Sequence, residues 1–282
     1  MVKAYRPTSL DYALDILDQE PLYILAGGTD LMVKKRRWSG LSPSFDKNVL
    51  FISDIEELNK IEENDKYIII GSGATCAQIS EDTNLPYYIR AVFTNMASPG
   101  IRNLATIGGN IGNSSPAGDS LPILYAMDAD LVLASKNSYR IVPIIDFIIG
   151  PGKNIKKDNE IIKEIRIPKV NFNKIMIKKV GTRLSTALSK LSFAGLGVME
   201  NNKITDFRAA FGAVGPKIVR NIEAEKAVIV LINSNSINED NIRNLYSADI
   251  TPIDDQRSTA VYRKEVCLRL LIEFIRTLRE EK

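Results

Sequence analysis

The amino-acid sequence predicts an α+β fold, and three patterns carry that prediction. Short runs that are rich in β-branched residues and bounded by glycine, such as Tyr67–Gly71, are typical of strands. Two longer apolar runs, 191–198 and 204–211, flank an asparagine pair at 201–202, which predicts an antiparallel hairpin. After Ser258, apolar residues recur at helical spacing and predict a long amphipathic helix.

In chain order, the sequence predicts a helix first and then a mixture of strands and helices. The capping-box pattern at 8–11 marks the start of the first helix, and the apolar stripe from Leu10 to Leu17 marks its buried face. Residues 85–97 are expected to form another helix, whereas the Gly-, Asn- and Ser-rich segment 106–119 has no helical periodicity. The predicted strands are 23–26, 49–52, 67–71, 129–134 and 161–168.

The pattern changes near residue 170, so we predict two domains. The first covers 1–170 in two lobes, about 1–55 and 56–170, and the second is a small sheet-plus-helix domain at 171–282. In the helix of that second domain, apolar residues including Val261 are expected to face the core. Charged residues including Arg263 are expected to face solvent.

The composition is that of a globular protein with nearly balanced charge. The chain has 282 residues, 45% of them hydrophobic, and a net charge of +3, so no disulfide or metal is needed to build a core. One basic run, 34–37, is expected to be a solvated loop or helix end, and we expect no nucleic-acid partner. The sequence lacks a signal-peptide pattern and any apolar run long enough for a membrane span, so we expect a cytoplasmic protein.

Two absences narrow the chemistry that this chain can perform. It has no histidine, which excludes Ser-His-Asp catalysis and histidine-ligated metal sites. Its two cysteines, Cys76 and Cys267, are too few for an iron–sulfur cluster and are expected to be buried, reduced thiols. Redox chemistry would therefore require an organic cofactor, and we expect neither a metal site nor a catalytic nucleophile.

A pair of glycines, Gly27 and Gly28, directly follows the predicted strand at 23–26. Glycine lets the chain turn sharply and lets backbone N–H groups approach a ligand closely. Successive N–H groups in such a turn form a concavity that suits a phosphate. Alone, this pattern is weak, because a tight turn without a ligand is the more frequent explanation.

A second segment, 101–119, combines hydroxyls, amides and bare glycine backbone between apolar neighbours. Ile107 and Ile111 indicate that the segment is largely inside the protein, where its polar groups need partners. The segment has neither the lysine of a Walker A motif nor the spacing of a Rossmann fingerprint. A long polar segment inside a compact domain is more often functional than not.

Together the two segments resemble a known family. Ala-Gly-Gly-Thr-Asp-Leu at 26–31, Ile-Arg-Asn-x-x-Thr-Ile-Gly-Gly-Asn at 101–110 and the later Asp119 resemble the FAD-binding medium subunit of the xanthine dehydrogenase family. Carbon monoxide dehydrogenase flavoproteins and nicotinate dehydrogenase belong to the same group. The likeness continues through 150–153 to 179–183 and so covers most of the chain.

The resemblance implies a two-part FAD-binding domain of the molybdopterin dehydrogenase flavoprotein type, followed by the small C-terminal domain. It implies that 24–31 and 106–110 clasp the FAD diphosphate from two sides through N–H dipoles and threonine hydroxyls. Ile162 would form an apolar wall near the flavin ring, and Lys179 would stabilise the reduced, anionic flavin. The candidate FAD-binding residues are Ile24, Leu25, Ala26, Gly27, Gly28, Thr29, Asp30, Leu31, Thr106, Ile107, Gly108, Gly109, Asn110, Asp119, Ile162 and Lys179.

By the same resemblance, the chain transfers electrons within a larger complex. Its partners would be a molybdopterin-binding large subunit and a small subunit with two [2Fe–2S] clusters, and NAD or another acceptor would take the electrons. One departure is Met96, which stands where animal members carry an aromatic residue that can stack on the flavin. Two alternatives are a stand-alone FAD-dependent reductase of the enolpyruvyl sugar-nucleotide reductase type and a non-catalytic subunit that has lost its flavin.

Overall fold

The computed structural model describes residues 2–184 and 186–279, and within them it has the expected α+β fold. The strands are β1 (Ala4–Tyr5), β2 (Tyr23–Leu25), β3 (Val49–Phe51), β4 (Ile61–Glu63), β5 (Tyr67–Gly71), β6 (Asp130–Ser135), β7 (Ser138–Pro143), β8 (Ile148–Gly150), β9 (Lys153–Asn154), β10 (Ile161–Pro168), β11 (Lys174–Val180), β12 (Leu191–Glu200), β13 (Lys203–Gly212) and β14 (Val219–Arg220). The helices are α1 (Leu10–Gln19), α2 (Leu31–Lys34), α3 (Cys76–Glu81), α4 (Tyr87–Thr94), α5 (Pro99–Arg102), α6 (Ile107–Gly112), α7 (Leu121–Ala126), α8 (Ile144–Phe147), α9 (Ile222–Asn233), α10 (Glu239–Tyr246) and α11 (Ala260–Arg279).

The N-terminal end of the chain forms a small parallel sheet in the order β1-β3-β2, with α1 packed beside it. Helix α1 buries the predicted stripe, because Leu10, Leu14 and Leu17 all join the same apolar cluster as Leu50 of β3. The predicted capping box is wrong in detail. Ser9 is the N-cap and accepts a hydrogen bond from the backbone N–H of Tyr12 at 3.4 Å, while the carboxylate of Glu57 accepts one from the N–H of Leu10 at 2.6 Å.

The middle of the chain forms a five-stranded antiparallel sheet in the order β4-β5-β10-β6-β7. Helices α3, α4, α6 and α7 contribute to the apolar core on this sheet, in which Phe93, Tyr125 and Phe147 are fully buried. The long central strand β10 matches the predicted bounds 161–168. Its first two residues, Ile161 and Ile162, reach the edge of the cavity described below.

The C-terminal sheet is antiparallel in the order β11-β12-β13-β14, and α11 lies against it. The hairpin between β12 and β13 turns at Asn201 and Asn202, as predicted, and both residues have positive φ. Gly195 of β12 allows close packing of α11, because an added Cβ would lie 2.5 Å from the ring of Phe274. The expected sheet-plus-helix arrangement of this part is therefore confirmed.

Two arginines of the C-terminal sheet join it to the middle part of the chain. Arg208 and Arg220 both bind the carboxylate of Asp128, which lies in the turn between α7 and β6. Arg208 also donates to the carbonyl of Ala126 at 3.1 Å, and the buried Arg220 forms a second ion pair with Glu225 at 2.9 Å. This network fixes α7 against β13 and β14, so the two parts share one packed boundary.

Two further predictions about helices are wrong. The segment 106–119 was expected to lack a helix, but it contains α6, whose three glycines have no side chains to mark a helical face. In α11, Val261 is 79% exposed and Arg263 only 4% exposed, the reverse of their predicted positions. Arg263 is buried because its guanidinium binds Asp255 at 2.5 Å and the carbonyl of Ala213 at 3.2 Å.

Candidate functional site

A cavity of about 300 Å³ lies between the loop after β2, the start of α6 and the first residues of β10. It brings together most of the predicted site residues from distant parts of the sequence. Those that line it are Ile24, Leu25, Ala26, Gly27, Gly28, Thr29, Asp30, Leu31, Thr106, Gly108, Gly109, Asn110 and Ile162. Ile107, Asp119 and Lys179 do not line this cavity.

The loop after β2 presents free backbone donors to the cavity. Gly28 has φ of +70°, a left-handed conformation that reverses the chain directly after the strand. Among the described residues, the N–H groups of 27–30 donate to no protein acceptor. Four successive free N–H groups around a left-handed turn form a concavity for an anion.

Gly27 holds this loop against the second motif. An added Cβ at Gly27 would lie 1.7 Å from the carbonyl oxygen of Leu104, so only glycine permits this approach. Leu104 lies between α5 and α6, within the segment that resembles the family. The two motifs are therefore in direct backbone contact, which explains why both contribute to one cavity.

Helix α6 forms part of the cavity wall, but the N–H groups at its start are already used in hydrogen bonds within the protein. The N–H of Ile107 donates to the carbonyl of Ala74 at 3.0 Å, and the N–H of Gly108 donates to that of Ser72 at 2.8 Å. The N–H of Gly109 donates to Oγ1 of Thr106 at 3.1 Å. The N–H groups of 107–109 are thus bonded within the protein, unlike those of 27–30.

Two of the three glycines of α6, Gly108 and Gly109, face different surroundings. An added Cβ at Gly108 would lie 2.5 Å from Cβ of Ser72, so this glycine allows the helix to pack on the end of β5. An added Cβ at Gly109 would meet only Oγ1 of Thr106, at 3.0 Å. Gly109 lines the cavity, and the absence of a side chain there keeps the space open for a ligand.

Sequence reasoning missed several residues of the cavity, among them the polar residues Ser72 and Lys156. Ser72 is 3% exposed, and in the part of the chain that the structure describes its Oγ has no hydrogen-bond partner, which is unusual for a buried hydroxyl and points to a ligand. It follows β5 within Gly-Ser-Gly, a strand-then-glycine pattern like that at 23–28, so a signal existed. Lys156 also lines the cavity, and no local pattern marks it. Burial lowers the pKa of Lys156, although the nearby charges of Asp158 and Glu160 act in the opposite direction.

The residues present fit an FAD dinucleotide. Free N–H groups at 27–30 suit a diphosphate, and the unpartnered Ser72 hydroxyl can donate to it or to a sugar oxygen. Apolar side chains including Ile162 can cover an aromatic ring system. Among the described residues, no cluster of His, Cys, Asp or Glu could hold a metal ion.

Asp119 and Lys179 line a second, smaller cavity of about 90 Å³ between α4, α7 and the C-terminal sheet. Their side chains form an ion pair of 2.6 Å between Nζ and Oδ2. Lys179 Nζ also donates to the carbonyl of Asn95 at 3.1 Å, and Ser189 Oγ donates to Asp119 Oδ1 at 2.6 Å. This second cavity is linked to the first through Ser120, which follows Asp119 and donates to Oδ1 of Asn110 at 2.7 Å.

The fold and these cavities define a two-domain α+β protein shaped to bind a dinucleotide. The family model for the FAD binding domain in molybdopterin dehydrogenase matches residues 1–170, and the model for the CO dehydrogenase flavoprotein C-terminal domain matches residues 177–278. The chain therefore belongs to the FAD-binding flavoprotein subunits of the molybdenum hydroxylase family. Its cofactor is FAD, and it is an oxidoreductase subunit.

Known relatives agree with this assignment. The chain is 32% identical to the glyceraldehyde dehydrogenase medium chain of Sulfolobus acidocaldarius, covering 93% of this chain and 92% of the relative. It is 31% identical to a putative xanthine dehydrogenase FAD-binding subunit of Escherichia coli, with coverage of 79% and 77%. It also resembles the fold in CO dehydrogenase from Oligotropha carboxidovorans, with a TM-score of 0.87, 22% identity and coverage of 99% and 98%.

The recognised family, the fold class and the cofactor are thus confirmed. The roles of the individual site residues and the domain boundary near residue 170 stay predictions. No helix in the stretches 2–184 and 186–279 is long and apolar enough to cross a membrane.

Proposed function

We propose that this chain is the electron-transferring subunit of a molybdenum hydroxylase complex. A molybdopterin-binding large subunit would oxidise the substrate, and a small subunit with two [2Fe–2S] clusters would deliver the electrons to this chain. NAD or another acceptor would then receive them. The observation that carries the proposal is the cavity, which unites the two glycine motifs of the family around free backbone donors.

The loop after β2 and helix α6 would hold the diphosphate of the cofactor. In this proposal the N–H groups of 27–30 bind phosphate oxygens, while Thr106 orders the start of α6 and Gly109 leaves room for the ligand. Ser72 would donate its free hydroxyl to the same ligand. The remaining predicted residues of the cavity would enclose the dinucleotide with backbone and apolar surface.

The chain's own part in electron transfer is to position the flavin and to set its electrostatic surroundings. When bound, FAD supplies the ability to accept electrons singly and to pass them on in pairs. Lys179 would place its ammonium near the ring, and its ion pair with Asp119 would hold that ammonium in place. No residue need act as a nucleophile or general acid, which agrees with a chain that has no histidine.

The relatives favour a subunit over the stand-alone reductase. Those that match over most of their length are described as a medium chain and as an FAD-binding subunit, names that denote one component of a larger enzyme. Purines are the substrate class that we propose to test first. This choice rests on the Gly-Pro-Gly-Lys turn at 150–153, which is similar to that of purine-oxidising bacterial members.

Co-expression tests the subunit proposal directly. The chain would be produced alone and together with a molybdopterin subunit and a two-cluster [2Fe–2S] subunit. We expect the three to co-purify, because subunits of an obligate complex share large apolar interfaces. We expect the lone chain to oxidise neither xanthine nor nicotinate. Turnover by the pure single chain, at a rate comparable to that of the complex, would refute the proposal.

A further inference from the structure

Lys156 lies beside the dinucleotide cavity and is the one basic residue among those that line it in the described part of the chain. It follows the short strand β9 in the turn that leads to β10. Its half-buried ammonium donates to the carbonyl oxygens of Lys157 at 2.9 Å and of Glu160 at 3.1 Å. An ammonium has three N–H donors, so these two bonds leave one donor for another acceptor.

The charge of Lys156 has no close carboxylate partner within residues 2–184 and 186–279. Asp158 and Glu160 are the nearby carboxylates, but among the described residues neither forms an ion pair with Lys156, and that of Glu160 is already bound by Arg140, with distances of 2.7 Å to Nε and 2.8 Å to Nη2. The Glu160 carboxylate accepts a third hydrogen bond, of 2.7 Å, from the backbone N–H of Lys157. Lys156 is therefore held in place by carbonyl oxygens and not neutralised by an ion pair.

A ligand that fills the cavity would remove water from this ammonium. A desolvated charge is unfavourable unless an opposite charge and hydrogen-bond acceptors replace the water. Carbonyl oxygens supply acceptors but no net charge, so the ligand itself must supply the anion. The diphosphate of a dinucleotide carries about two negative charges, whereas the loop at 27–30 offers it N–H dipoles and no positively charged side chain.

We infer that Lys156 is a phosphate-binding residue of the FAD cavity, whose ammonium pairs with the diphosphate of the bound dinucleotide. The inference rests on the assignment of this cavity to FAD. Two parts of the chain would then bind the diphosphate in different ways. The loop after β2 fixes the position of the diphosphate, and Lys156 supplies the positive charge that the loop lacks. A purely structural lysine, which only ties the turn at 157–160, would leave nucleotide binding unchanged when it is replaced.

Nucleotide binding by the full-length apoprotein tests this inference, with Lys156→Met compared against Lys157→Met. The control removes the same charge from the neighbouring, exposed residue, which does not line the cavity. The probes are FAD, ADP and adenosine, and their dissociation constants are measured by calorimetric titration. Circular dichroism confirms that each variant is folded. If Lys156→Met does not fold, Lys156→Gln takes its place, since an amide can still donate to the two carbonyls.

We expect Lys156→Met to weaken FAD and ADP binding by about 10- to 100-fold, the usual range for a lost charge-assisted hydrogen bond. Adenosine, which has no phosphate, should bind as it does to the wild type, and Lys157→Met should bind all three probes normally. Normal FAD and ADP binding by the Lys156 variant would overturn the inference while leaving the FAD assignment intact. An equal loss for adenosine would also overturn it, because Lys156 would then contact the nucleoside. A wild-type chain that binds neither FAD nor ADP would overturn the cavity assignment itself.

Discussion

Two adjacent glycines of α6 should respond in opposite ways to an added side chain. Gly109 faces the cavity, and an added Cβ meets only Thr106 Oγ1, at 3.0 Å. Gly108 faces the end of β5, where an added Cβ would lie 2.7 Å from the backbone oxygen of Ser72. The same chemical change therefore meets open space at one position and fixed backbone at the next.

Gly109→Val should leave the chain folded but remove its flavin. Glycine is a poor helix residue, costing about 1 kcal/mol relative to alanine, so valine need not destabilise α6. The valine methyl groups would occupy space that the dinucleotide needs. Steric overpacking of this kind costs about 1–3 kcal/mol, which corresponds to about 5- to 150-fold weaker FAD binding. We expect most of the FAD to be lost during purification.

Gly108→Ala should instead destabilise the fold, by about 1–3 kcal/mol or more, because the Ser72 backbone cannot move away easily. Gly100→Val is a matched control, since an added Cβ at Gly100 has no neighbour within 4 Å and the residue does not line the cavity. Thermal unfolding by circular dichroism and flavin content after acid release would be measured on all three variants. Normal flavin occupancy in Gly109→Val would refute the placement of the ligand beside α6.

Three further predictions concern the cofactor and the stability of the fold. The isolated chain should carry close to one FAD and little FMN, as judged by chromatography of the acid-released flavin; FMN as the main product would contradict a dinucleotide cavity. Lys179→Met should lower the flavin potential because it leaves the carboxylate of Asp119 unpaired. Adding Asp119→Asn should reverse most of this shift, as measured by a spectroscopic redox titration. The Arg263 guanidinium holds the pKa of Asp255 at about 2, below the ordinary value of 3.8. The stability that this pair contributes is therefore present above about pH 4 and lost as the pH falls towards 2. In Asp255→Asn, the free energy of unfolding measured with urea should be lower at neutral pH and should change less between about pH 4 and pH 2. If the free energy of unfolding of this variant depended on pH as it does in the wild type, the pair of Asp255 and Arg263 would not be the cause of that dependence.

Local sequence patterns correctly predicted strands whose β-branched side chains pack in a buried sheet. Strands such as Tyr67–Gly71 and Ile161–Pro168 were placed correctly, because β-branched runs bounded by turn residues report a buried sheet directly. Helix α6 was missed because three of its six residues are glycines, which carry no side chain to show a helical period. Arg263 was misplaced because its partner Asp255 lies on the preceding loop and pulls the guanidinium inward.

The candidate site was predictable only where its residues form continuous motifs. The loop at 24–31 and the segment 106–110 carry a recognisable spacing, and the structure brings both to one cavity. Lys156 has no such signal, because its contribution depends on how the turn before β10 returns to the cavity. The free N–H groups at 27–30 and the occupied ones at 107–109 also could not be distinguished from sequence, since the difference lies in tertiary hydrogen bonds.

Anaerobic reduction of the flavin within the assembled complex tests the proposed electron transfer most directly. Substrate would be added to the wild-type complex and to a complex that contains the Gly109→Val chain. In the wild type we predict that the [2Fe–2S] signal appears in the electron paramagnetic resonance spectrum and that the absorbance of oxidised flavin is lost. In the variant complex the clusters should still be reduced, but electrons should not reach the acceptor. Acceptor reduction at the wild-type rate by the flavin-free complex would contradict the proposal that electrons leave through this chain.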